Sequence, residues 1–196
     1  MYMSFLNKKN IQKGFTLVES LVAILIFSIS VTTMLVFLGG GISEIDYVKR
    51  KVVANYLAQE GMEYIRNMRD THMLYTTTGT GWPDFVTQMQ ACDATFSSDG
   101  CYYDPTVLFS YAPPQEIIQT PVIGCTGECP RLRYNPNTLE YDYNLASEET
   151  SYVRTITVSV LPGQEEMYVY SKVKWNIKGQ EYEVSFGGNL FNWPGQ

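Results

Sequence analysis

Apolar and polar positions divide the 196-residue chain into three regimes. From Phe15 to Leu38 the sequence is overwhelmingly apolar, and its only charge is Glu19. As a helix rising about 1.5 Å per residue, this stretch reaches roughly 36 Å, enough to cross a hydrocarbon core. Gly39-Gly40-Gly41 then breaks the pattern. Each internal glycine costs about 1 kcal/mol of helix stability relative to alanine. The triplet therefore marks either a boundary between two helical stretches or a segment able to unwind. From Ile42 to about Arg69, Ile45, Val48, Val52 and Tyr56 recur at three- and four-residue spacing, as do Val53, Leu57, Tyr64 and Met68. Glu60, Glu63, Arg66 and Arg69 lie among them. This predicts an amphipathic helix whose apolar stripe packs on the protein's own sheet.

The third regime alternates with period two. Thr76-Thr77-Thr78-Gly79-Thr80-Gly81, within a loop from Thr71 to Gly81, predicts the exit from the helix. Arg131–Tyr134 and Glu140–Tyr143 flank Asn135-Pro136-Asn137, a hairpin pattern. In Val153–Leu161, Ile156, Val158 and Val160 alternate with hydroxyl residues. Between Met167 and Ile177, Val169, Val173, Trp175 and Ile177 oppose Tyr168, Tyr170, Lys172 and Lys174, and Tyr182, Val184 and Phe186 follow. The expected fold class is α+β, a long N-terminal helix packed on a C-terminal antiparallel meander with one wet face.

Charge narrows the functions open to such a chain. The net charge is −6, and the region from Asp70 onward holds 6 basic against 15 acidic residues. An acidic head gains nothing from phosphate counterion release, so no nucleic-acid partner is expected. Ahead of the apolar stretch lie Lys8, Lys9 and Lys13, which favour a cytoplasmic N-terminus. Lys49, Arg50 and Lys51 stand beyond its other end, so charge alone leaves the orientation open.

Met1–Leu38 admits an uncleaved signal anchor, or a secretory signal peptide cut at the small residues Gly39-Gly40-Gly41. The apolar stretch is about twice the usual 7–15 residues of a signal core. Neither explains Glu19, because a carboxylate in a membrane helix costs up to about 2.5–3.5 kcal/mol at mid-bilayer.

The run Lys13-Gly14-Phe15-Thr16-Leu17-Val18-Glu19-Ser20 resembles the N-terminal signal of type IV prepilins and type II secretion pseudopilins. That family pattern is a basic leader ending in Gly, then Phe-Thr-Leu-(Ile/Val)-Glu, then an apolar helix. The resemblance implies that a prepilin peptidase cuts between Gly14 and Phe15 and methylates the new amine of Phe15. It implies that Glu19 neutralises the N-terminal amine of a neighbouring subunit on assembly, where an unpaired buried charge would be very costly. Gly39, Gly40 and Gly41 then stand where many pilins carry a helix-breaking proline. The implied segments are a leader (1–14), a membrane and filament-core helix (15–41), an amphipathic helix (42–70) and a globular head (71–196), together a lollipop.

Ala54–Asp70, with Leu57-Ala58-Gln59-Glu60-Gly61-Met62-Glu63, and the close Asn189-Leu190-Phe191-Asn192-Trp193 resemble minor pilins of the PilV kind. The implied partners are other pilin subunits, the prepilin peptidase, the inner-membrane assembly platform and, before assembly, membrane lipid. The implied location is a single-pass membrane protein with an extracytoplasmic head, then a cell-surface pilus or a periplasmic pseudopilus. Trp193 is expected to cap the core. A pseudopilin of type II secretion is the alternative, and a membrane-tethered surface enzyme or binding domain is a third reading.

Cys92, Cys101, Cys125 and Cys129 form an even set in an exported head, which implies disulfides in one of three connectivities. Cys92–Cys101 and Cys125–Cys129 are favoured because each closes locally, with Gly124 and Gly127 easing the tighter turn. A four-cysteine zinc site is the alternative, although these gaps fit standard knuckles poorly. No catalytic residue, cofactor or metal is expected. His72 is the only histidine, and no phosphate loop or nucleophile elbow is present. Asp93, Asp99 and Asp104 lack the glycine and glutamate spacing of a calcium loop and suit a solvated one. The fifteen tyrosines suit a β-rich surface or an adhesive one.

Overall fold

A computed structural model describes residues 14–75, 81–93, 99–104, 111–112, 116–117, 122–163 and 165–193. Residues 1–13 of the predicted leader (1–14) and residues 76–80 of the predicted exit loop lie outside them. The chain divides into two compact units, with the boundary between Asp46 and Tyr47.

The first unit is helical from Leu17 onward, as the start of α1 (Leu17–Tyr75). Its apolar side chains from Leu17 to Leu38 are exposed. The hydroxyls within it turn inward: Ser30 donates to Ile26 C=O at 2.8 Å, Thr32 to Ser28 C=O at 2.9 Å and Thr33 to Ile29 C=O at 2.8 Å. These hydroxyls are satisfied by the carbonyls of their own helix. This is the one helix long and apolar enough to cross a membrane among the described residues, by length and composition. Gly39, Gly40 and Gly41 are helical, and a Cβ at any of them would meet open space. Packing among the described residues does not require glycine there.

In the second unit α1 continues to Tyr75, past the predicted end near Arg69. A short helix, α2 (Gly81–Gln88), follows, and a 3-10 turn spans Met89–Cys92. The strands are β1 (Cys101–Tyr103), β2 (Tyr111–Ala112), β3 (Glu116–Ile117), β4 (Val122–Gly124), β5 (Arg131–Asn135), β6 (Glu140–Asp142), β7 (Glu148–Val160), β8 (Glu166–Ile177) and β9 (Gln180–Phe191). β7, β8 and β9 form the expected antiparallel meander. The remaining topology is richer than a meander. β7 is the hub: β8 takes one side, while β5 and β1 share the other, carrying β6 and β4 respectively. Among the described residues, β2 and β3 pair with each other, apart from the larger sheet.

One face of the sheet meets two helical segments. Met62, Ile65 and Met68 of α1 pack with Trp82 and Phe85 of α2 on Ile156, Val158, Met167 and Val169. Farther back along α1, Ala54, Leu57 and Ala58 pack on Leu132, Val173 and Trp175. Each large side chain fully buried this way contributes about 1.5–3 kcal/mol. Gly61 marks the closest approach of helix and sheet, because a Cβ there would collide with the Ser171 hydroxyl and press on Arg154 Cδ at 3.2 Å.

Two expectations are corrected. Only the second predicted stripe, with Val53, Leu57, Tyr64 and Met68, faces the core. Ile45, Val48, Val52 and Tyr56 are 45–69% exposed, because the small residues Ala54, Ala58 and Gly61 bring the other face of the helix onto the sheet. Trp193, at 36% exposure, does not cap the core; Trp82 and Trp175 fill it.

Candidate functional site

The residues singled out at the N-terminus gather at the first turn of α1. Phe15 is 82% exposed and precedes the helix. Thr16 is the N-cap: its Oγ1 accepts from Glu19 N–H at 3.3 Å, and its carbonyl accepts from Ser20 N–H at 3.2 Å. Thr16-Leu17-Val18-Glu19 thus has the spacing of a capping box, a local signal the sequence reading overlooked. An acidic side chain in the first turn also complements the helix dipole. Glu19 is exposed, with apolar neighbours on the turns that follow. The arrangement is an exposed Phe15 followed by a carboxylate in the first turn of an apolar helix.

The cysteines lie in the second unit. Cys92 is bonded to Cys101, with Cα atoms 4.7 Å apart, and Cys125 to Cys129, with Cα atoms 5.1 Å apart. The first bridge joins the 3-10 turn to β1 inside the main core. The second closes a loop over Val153 on the opposite sheet face, so that face is not uniformly wet. Asp99 Oδ2 accepts from Gly127 N–H at 2.8 Å, which ties this loop to the turn before β1. No group of three His, Cys, Asp or Glu able to hold a metal occurs among the described residues.

His72 is buried between α1 and α2, with Nε2 3.0 Å from Gln88 Oε1 and its ring beside Phe85. Burial pushes its pKa below the ordinary value, with Gln88 and Asp84 opposing the shift.

Arg154 was hidden in the sequence by the alternation of β7. It occupies an inward position with no exposed surface. Its Nη1 lies 3.3 Å from Glu60 Oε2 and 3.4 Å from Leu57 C=O, and the guanidinium sits 4.1 Å over the Tyr103 ring. Tyr103 stacks on Tyr64 at 3.7 Å. Burial pushes the Tyr64 hydroxyl up to about 12 and raises Tyr103 further, so both stay neutral beside the cation. This cluster pins α1 to β7. Beside it an open groove of about 510 Å³ is lined by Val53, Tyr56, Leu57, Glu60, Glu63 and Tyr141.

Residues 9–35 match a family model described as a prokaryotic N-terminal methylation motif. The chain carries that motif. No curated protein and no solved structure matches the chain. The methylation motif encloses Lys9, Lys13, Gly14, Phe15 and Glu19 and runs into the exposed apolar helix. It supports a type IV pilin- or pseudopilin-like subunit, and a motif of this kind implies processing by a prepilin peptidase and assembly with other such subunits. With the apolar helix it fits a single-pass membrane-anchored protein.

Proposed function

We propose that the chain is a minor pilin, a structural subunit of a type IV pilus-like filament, cut between Gly14 and Phe15 and N-methylated on Phe15. The observation that carries this reading is the methylation motif placed on an apolar helix with one carboxylate in its first turn. In the bilayer, the apolar surface of residues 15–41 faces lipid. In the filament, the same surface packs against other subunits, and Glu19 neutralises a neighbour's N-terminal amine. In the second unit, the exposed row Val48, Val52 and Tyr56 is an apolar surface of its own that partners can cover. Gly39, Gly40 and Gly41, which touch no neighbouring side chain, supply a segment able to unwind during that transfer. The head lies on the extracytoplasmic side, first at the membrane and then at the cell surface. Its disulfides suit an oxidising compartment. The PilV-like stretches favour a pilus over the periplasmic pseudopilus of type II secretion.

Glu19→Gln tests the role of the carboxylate. Glutamine retains the capping-box pattern but carries no charge. The expected result is normal membrane insertion with loss of incorporation into filaments. Normal incorporation of Glu19→Gln would reduce Glu19 to a helix cap and leave the apolar helix as a tether.

A further inference from the structure

Among the described residues, strand β9 has one edge with no strand beside it. It pairs with β8 from Gln180 to Phe191 in unbroken register, and no other described strand pairs with it. Hydrogen-bond parity determines which of its groups face outward. Ile177 lies opposite Gln180 across the Lys178–Gly179 turn, whose two residues have φ of 52° and 87°. Such a two-residue turn closes on a hydrogen-bonded pair. At the far end, Asn192 N–H donates to Glu165 C=O at 2.8 Å, in the same parity. Even-numbered residues of β9 therefore bond β8. The backbone groups of Glu181, Glu183, Ser185, Gly187, Asn189 and Phe191 point away from the sheet. Arg69 Nη1 reaches the Phe191 carbonyl at 3.2 Å.

Proteins usually blunt such an edge with proline, a bulge or charge. β9 has neither proline nor bulge, and Ser185–Phe191 has no charge. On the core side of the same strand, Leu190 is buried while Phe186 remains 39% exposed.

We propose that this edge pairs with β9 of a second copy, antiparallel across a two-fold axis at Phe186. In that register the outward-facing residues meet in pairs. Ser185 lies opposite the partner subunit's Gly187, Glu183 opposite the partner subunit's Asn189, and Glu181 opposite the partner subunit's Phe191. No carboxylate faces a carboxylate. The two Phe186 side chains form the central non-hydrogen-bonded pair, where Cα atoms approach to about 4.5 Å, and each covers apolar surface the other leaves open. Val184 lies opposite the partner subunit's Gly188, whose missing side chain leaves room for the rings. Sliding one strand by a single residue would set outward groups against groups already bonded to β8, and centring on Ser185 or Gly187 would keep the outward groups matched but part the two Phe186 rings. Centring on Gly188 would shorten the ladder to Ser185–Phe191, and centring on Val184 would crowd the glutamates of the two strands. This inference is independent of the pilin-like reading.

The test uses the full chain in membranes or detergent micelles. Under mild oxidation, Phe186→Cys is expected to give a disulfide-linked dimer as the main species, while Val184→Cys stays monomeric. A second arm leaves Phe186 in place. Glu183→Cys copies mixed with Asn189→Cys copies are expected to crosslink, since a hydrogen-bonded pair sits about 5.5 Å apart at Cα, within disulfide reach. Ser185→Pro added to either arm removes an outward N–H without touching the β8 ladder, and should abolish crosslinking. The proposal is overturned if neither arm crosslinks, if Val184→Cys crosslinks equally, or if Ser185→Pro has no effect.

Discussion

Replacing Glu60 with glutamine tests how a cation is held inside the head. Arg154 is fully buried, and its ion-pair partner, 3.3 Å away, is Glu60, whose side chain is 45% exposed. Removing one partner of a buried pair costs about 3–5 kcal/mol, because the other charge is left uncompensated. Two features reduce that figure here. Solvent already screens part of the attraction at Glu60. The Tyr103 ring, 4.1 Å from the guanidinium, survives the substitution and contributes about 2 kcal/mol of cation–π attraction. The expected net loss is about 2 kcal/mol. Glu63→Gln is the control. It breaks a surface pair with Arg66, both side chains well exposed, and should cost less than about 1 kcal/mol. Arg154→Met removes the buried charge, keeps most of the volume and lets Glu60 hydrate, so its cost should stay below about 1.5 kcal/mol. The assay is denaturant unfolding of the detergent-solubilised chain, followed by the fluorescence of buried Trp82 and Trp175 and compared at the midpoint. Equal midpoints for Glu60→Gln and Glu63→Gln would refute the reasoning. The tyrosines alone would then satisfy the guanidinium.

Gly61→Ala should destabilise the head by about 1–3 kcal/mol through overpacking against Ser171 and Arg154, despite alanine's better helix propensity, whereas Gly40→Ala should raise the helicity of α1; thermal unfolding and circular dichroism check the two. The pKa of His72 is lower in the folded chain than in the unfolded one. Its contribution is therefore complete above about pH 6.5 and is lost as the pH falls below that value, because the unfolded chain takes up the proton first. A pH series of unfolding midpoints should show this loss in the parent chain and a weaker one in His72→Gln. Removing the Cys92–Cys101 bridge, which closes the longer loop and lies in the core, should cost about 2–4 kcal/mol, and more than removing Cys125–Cys129. Paired serine variants compared by melting temperature check the order.

Much of the fold was legible because its periodicities are strong. The apolar run from Phe15, the alternation of β7 and β8 and the Asn135-Pro136-Asn137 turn each state a local rule that the structure follows. Where two rules competed, the sequence was silent. Both stripes of the Ile42–Arg69 helix are apolar, and the choice between them rests on how closely Ala54, Ala58 and Gly61 let the backbone approach the sheet. Arg154 breaks the binary pattern of β7, and only its distant partners Glu60 and Tyr103 make the position tolerable. Helix α2 was missed although Trp82, Phe85 and Met89 carry helical spacing, because the threonine- and glycine-rich run before it dominated the local reading. At the N-terminus the motif was plain, yet the capping role of Thr16 emerged only from geometry.

The central claim concerns what happens at Gly14 and Phe15, and mass spectrometry of the mature N-terminus tests it most directly. The account predicts a chain beginning at N-methylated Phe15; an intact Met1, or a first residue at Ile42, would contradict it.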